Sequence, residues 1–106
     1  MTIKFRTVKG KCSAKAEGML TIYTALESMD KLFKPLEKSS EITFDMSGVT
    51  EFDTAGLQLL MALKKETQAL EIAFQIKNPS EYVQSVFDKY CMTEHLVAEN
   101  ILQLSA

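Results

Sequence analysis

Apolar residues along this chain change their period several times, and each change marks an element. Between Thr2 and Val8 they alternate imperfectly, with Ile3, Phe5 and Val8 apolar, which predicts a strand that turns at Gly10. Lys11 to Ala16 would return as its hairpin partner. From Ile22 the spacing becomes helical: Ile22, Ala25, Leu26, Met29, Leu32, Phe33 and Leu36 recur at intervals of three and four, with Thr24 and Glu27 placed as a capping box. Pro35 should stop or kink that helix, because proline removes a backbone donor and clashes with the preceding turn.

The period returns to two in Ile42 to Met46, where Ile42, Phe44 and Met46 share one face of a short strand. A loop over Ser47 to Phe52 should then lead to a second helix from Thr54 to about Gln68. In that helix Leu57, Leu60, Met61 and Leu63 should face inward, and Lys64, Lys65 and Glu66 outward. Ile72 to Ile76 reads as a further strand. Asn78 as N-cap, Pro79 in the first turn and Glu81 then open a third helix, with Tyr82, Val83, Val86, Phe87 and Tyr90 on its apolar face. Alternating strands and helices with connections too long for hairpins predict an α/β fold: a mixed, mainly parallel sheet with helices packed on it. The stretch from His95 to Ala106 fits a short strand, a helix or a loose tail.

Composition narrows the function classes. A chain of 106 residues, 46% apolar and 25% charged, suits one folding unit over residues 1–106, with a core over 3–98 and a possible tail over 99–106. Its net charge of −2, with Lys and Arg scattered along the sequence, gives no footprint for nucleic acid. The longest apolar stretch, Leu57 to Leu63, is far too short to span a membrane, and the N-terminus lacks a signal core, so a cytoplasmic address is expected. Cys12 and Cys91 lie far apart without metal-ligand spacing and should be reduced thiols; His95, the single histidine, has no nucleophile motif beside it. The methionines Met19, Met29, Met46, Met61 and Met92 read as core filler rather than a ligand box, and no cofactor is implied. Exposed helix faces leave homodimerisation open.

The chemistry-bearing segment runs from Asp45 to Leu57, DMSGVTEFDTAGL. Asp53 or Thr54 at a helix start would cap orphan backbone N–H groups. Capping does not call for Ala55 and Gly56 together in the first turn, since glycine costs about 1 kcal/mol against alanine within a helix. Small residues there serve tight packing on the sheet, close approach of another protein's backbone, or room for a phosphate at a helix N-terminus. Ser47 could line the same rim or simply bond nearby backbone.

This segment resembles the signature of STAS domains, in which a strand ends in D-x-S and D-[ST]-[SAT]-G-[LI] opens a helix. The order of elements matches as well, from Gly18-Met19-Leu20-Thr21 before the first helix to Asn78-Pro79 before the third, over about residues 3 to 98. The resemblance implies a non-enzymatic switch module of the anti-sigma-factor-antagonist type, with a partner-binding surface at Ser47, Asp53, Thr54, Ala55, Gly56 and Leu57. In such antagonists a partner serine kinase phosphorylates the second hydroxyl residue of the motif. Ala55 stands at that position here, so Thr54 becomes the candidate phosphoacceptor or contact, facing an anti-sigma-type kinase or another signalling kinase. The D-T-A-G-L variant also resembles STAS subunits of lipid-transport ABC systems, which contact an ABC ATPase, and small STAS proteins of chemotaxis-type signalling. An enzyme is the third class: Asp45 at a strand end is similar to a receiver phosphoacceptor, but the sequence has no acidic pair for Mg²⁺, no phosphate-binding glycine loop and no nucleophile elbow.

Overall fold

A computed structural model describes residues 1–94 and Leu96. His95 and the 97–106 stretch, including the expected tail, lie outside the described residues. Among the described residues four strands and three α-helices follow one another as β1 (Thr2–Val8), β2 (Lys11–Leu20), α1 (Ala25–Phe33), β3 (Glu41–Phe52), α2 (Thr54–Ala69), β4 (Ala73–Lys77) and α3 (Glu81–Lys89). The strands form one mixed sheet in the order β1-β2-β3-β4. The first pair is an antiparallel hairpin and the other two pairs are parallel. The hairpin turn places Lys9 and Gly10 at φ 52° and 80°, the left-handed region that two-residue hairpin loops require.

Register aligns the core. Ala14, Phe44 and Ile76 lie side by side on three neighbouring strands and are all buried, as are Cys12 and Ile42 one row along. β2, β3 and β4 therefore turn one face to the helices, while Ser13, Lys15, Thr43, Asp45 and Gln75 lie on the open face. Leu57, Leu59, Leu60 and Leu63 of α2, together with Val83 and Phe87 of α3, complete the core. Each such side chain contributes roughly 1.5–3 kcal/mol by leaving water. Phe87 meets Phe52 edge-on at 5.8 Å between ring centroids, which ties α3 to the end of β3.

The α/β architecture follows the sequence expectation, with local corrections. β2 runs on to Leu20 rather than ending at Ala16, and Ser47 to Phe52 is strand rather than loop. This second half of β3 pairs with Glu17 to Leu20 across two register shifts. Those shifts break the alternation, so that burial falls at Met46, Val49 and Phe52, three residues apart. Gly48 is needed there, because a Cβ would lie 2.9 Å from the Ala16 carbonyl oxygen.

α1 begins at Ala25, and its Thr24 makes no side-chain cap; the Thr24 hydroxyl donates instead to the Met19 carbonyl at 2.7 Å. After Phe33 the chain tightens into a short 3₁₀ helix, Lys34–Lys38, that contains Pro35. Lys64 is 4% exposed rather than solvated, and Met61 is exposed rather than inward. Ser80, not Asn78, caps α3 by accepting from the Val83 N–H, and Tyr82 and Tyr90 face out. Cys12 is buried and Cys91 exposed, both as free thiols.

Candidate functional site

Asp53 organises the site. It ends β3 in an extended conformation and caps α2, where its Oδ1 accepts from the Ala55 N–H at 2.9 Å and the Gly56 N–H at 3.2 Å. Its Oδ2 accepts from the Ile22 N–H at 3.0 Å, across 31 residues of sequence. One carboxylate thus fastens the approach to α1 onto the start of α2. All three donors are backbone groups that the two helix entries would otherwise leave unsatisfied.

Gly56 answers to packing. A Cβ at this position would come within 2.6 Å of the Leu20 carbonyl oxygen and 2.7 Å of the Phe52 ring, so only glycine lets α2 seat on the sheet. Leu57 is buried in the core. Of the residues expected at a partner-binding face, Asp53, Gly56 and Leu57 are therefore engaged in capping and packing within the domain. Thr54 is exposed, and its hydroxyl enters none of the hydrogen bonds that hold the helix start. Ala55 is half-buried and borders a groove.

That groove, of about 320 Å³, lies between α1 and α2 and is lined by Ile22, Ala25, Leu26, Met29, Ala55, Gln58, Leu59 and Ala62. Its α1 wall is apolar and open: Ile22 is 69% exposed and Leu26 79%, with Tyr23 beside them at 88%. Ser28 and Leu32 form the buried side of α1. The exposed wall was present in the sequence as the spacing Ile22, Leu26, Met29, within a helix carrying more apolar residues than one buried face needs.

Ser47 stands apart. It lies on β3 six residues before Asp53, on the order of 15–20 Å along an extended chain. Its backbone N–H donates to Asp45 Oδ1 at 2.8 Å. Burial tends to raise the Asp45 pKa, but hydrogen bonds from the Ser47 backbone and side chain and from the Asn78 side chain, with the charge of Lys15, outweigh it and hold the carboxyl below its ordinary value. Asp45 and Ser47 thus belong to a polar cluster on the open sheet face. Among the described residues no group of His, Cys, Asp and Glu is placed to hold a metal ion. No helix among them is long and apolar enough to cross a membrane.

A single mixed sheet with helices on one face thus carries an Asp-capped helix start beside an open apolar groove. The STAS domain model matches residues 3–102, and the chain belongs to the STAS family. Solved structures agree at the level of fold. The anti-sigma factor antagonist SpoIIAA in its unphosphorylated form superposes with a TM-score of 0.75 at 16% identity, covering 98% of this chain and 96% of that one. An anti-sigma factor antagonist from Mycobacterium paratuberculosis gives 0.79 at 14% identity, covering 99% and 94%. The phosphorylated form of the Bacillus cell-fate determinant SpoIIAA gives 0.70 at 14% identity, covering 97% and 99%. No curated protein sequence matches the chain.

Proposed function

We propose that this chain is a non-catalytic regulatory module of the anti-sigma-factor-antagonist type, working in the cytoplasm, that binds a protein partner through Thr54 and the adjoining groove. The observation that carries the proposal is the exposed apolar wall of Ile22, Leu26 and Met29 facing Ala55, one residue from an exposed threonine. Apolar side chains grouped on a groove rim gain most when a partner covers them. Thr54 immediately precedes the lining residue Ala55, so a phosphate on it would govern docking.

Phosphorylation of Thr54 would add about −1.5 to −2 charges at the edge of this apolar surface. The Ala55 and Gly56 N–H groups are already occupied by Asp53, so the helix start has little left with which to bind that phosphate. The added charge would face the Asp53 carboxylate and the partner. Docking would weaken without a change of fold. The partner class that fits is an anti-sigma-type serine kinase or another signalling kinase.

Ala55 favours a second reading. With the usual phosphoacceptor position filled by a methyl group, the same face would serve as a constitutive contact, as in an accessory subunit of a lipid-transport ABC ATPase. Tagged protein purified from its native host decides between them, using wild type, Thr54→Ala and Thr54→Glu with mass spectrometry of the bait. A kinase recovered with the first two forms and lost with Thr54→Glu is expected. Recovery of an ABC ATPase would favour the second reading, and undiminished recovery with Thr54→Glu would contradict both.

A further inference from the structure

The outer edge of β1 differs in chemistry from the Thr54 face and is independent of it. β1 pairs with β2 through all seven of its residues, and among the described residues nothing pairs with its other side. Its two faces differ in chemistry. Ile3 and Phe5 stand opposite the buried Ala16 and Ala14 and so lie on the helix side, where Phe5 is still 40% exposed. Lys4 and Arg6 stand opposite Lys15 and Ser13 on the open face, and both are exposed.

Cations accumulate at this edge, with Glu17, opposite Thr2, one pair along on β2. Lys4 faces Lys15 directly across the strands, a like-charge pair that weakens a sheet unless an anion offsets it. Lys15 has Asp45 beside it on β3, whereas Lys4 and Arg6 lie one strand further out. Lys9 adds another charge at the hairpin tip. Two copies of β1 pairing edge to edge would bring such cations together, which is how natural sheets discourage self-pairing.

We propose that β1 accepts an extended acidic segment of a partner protein as a fifth strand, its alternate residues being acidic and apolar. The acidic side chains would lie over Lys4 and Arg6, and the apolar ones beside Ile3 and Phe5. Backbone hydrogen bonds along the open edge would supply affinity and the alternation would supply register.

The test uses a labelled peptide of roughly nine residues alternating Glu and Val, long enough to span one strand. Binding is followed by fluorescence anisotropy and by amide NMR shifts on the intact chain. Saturable binding is expected, with the largest shifts in residues 2–8 and about a tenfold loss of affinity in the Lys4→Glu, Arg6→Glu double variant. The charge-neutral Lys4→Gln, Arg6→Gln variant should lose less. A thermal melt showing each variant folded separates lost binding from lost structure; should the Glu variant unfold, the Gln variant carries the comparison. No saturable binding, equal binding of an alternating Lys and Val peptide, shifts confined to the α1–α2 groove, or concentration-dependent shifts of β1 without peptide would each overturn the proposal.

Discussion

The two helix entries that meet at Asp53 are built in opposite ways. α2 starts under a full cap, with two of its N–H groups held by one carboxylate oxygen and a glycine pressed against the Leu20 carbonyl. α1 starts with a threonine that does not cap it; Asp53 reaches across to hold the Ile22 N–H, and the Ala25 N–H bonds the Thr21 carbonyl at 2.8 Å. Around the first entry the side chains are small or buried, and around the second Ile22, Tyr23 and Leu26 are open to solvent. The α2 entry is a fixed platform, and the α1 entry carries the exposed apolar surface that the proposed function assigns to a partner. Substitutions on the two sides should therefore separate stability from binding.

Gly56→Ala should show the largest effect. Its methyl group would collide with backbone and a buried ring, at a cost of about 2–3 kcal/mol in urea unfolding. Asp53→Ala removes the acceptor of three backbone donors and should cost about 2 kcal/mol, whereas Asp53→Asn keeps one oxygen for the α2 cap and should lose roughly half as much. Equal losses for the two Asp53 variants would show that the α2 cap matters little and that the bond to Ile22 carries the effect. Leu26→Ser should leave stability within about 0.5 kcal/mol of wild type, since the side chain is already mostly in water.

The smallest effect concerns pH. Asp45 is held below its ordinary value of 3.8 in the folded chain, so the native state favours its charged form. The stability this supplies is complete above the unfolded value and disappears as pH falls through 3.8 towards the lowered folded value. Asp45→Asn should cost stability near neutral pH, and the gap to wild type should narrow below 3.8 in urea titrations. A gap that widened with acid would reverse the assignment.

Much of the platform was legible in the sequence, because its signals are local. α2 was expected from Thr54 to about Gln68 and ends at Ala69, and the capping role of Asp53 was visible from residue type and position. The bond from Asp53 to Ile22 was not, since it joins residues 31 apart that only the fold brings together. Ser47 to Phe52 looked like loop because two register shifts erase the alternation that signals a strand. The apolar stripe of α1 was seen, but periodicity alone does not say which of two apolar sides a helix buries. Lys64 reads as solvated in any sequence pattern, yet the helix turns it inward.

The most direct test measures the affinity of the purified native partner for wild-type protein and for Leu26→Ser by calorimetry. If the α1 wall is the docking surface, affinity should fall at least about tenfold, near 1.4 kcal/mol, while the urea midpoint stays unchanged. Equal affinity for the two proteins, both folded, would contradict the assignment of this face.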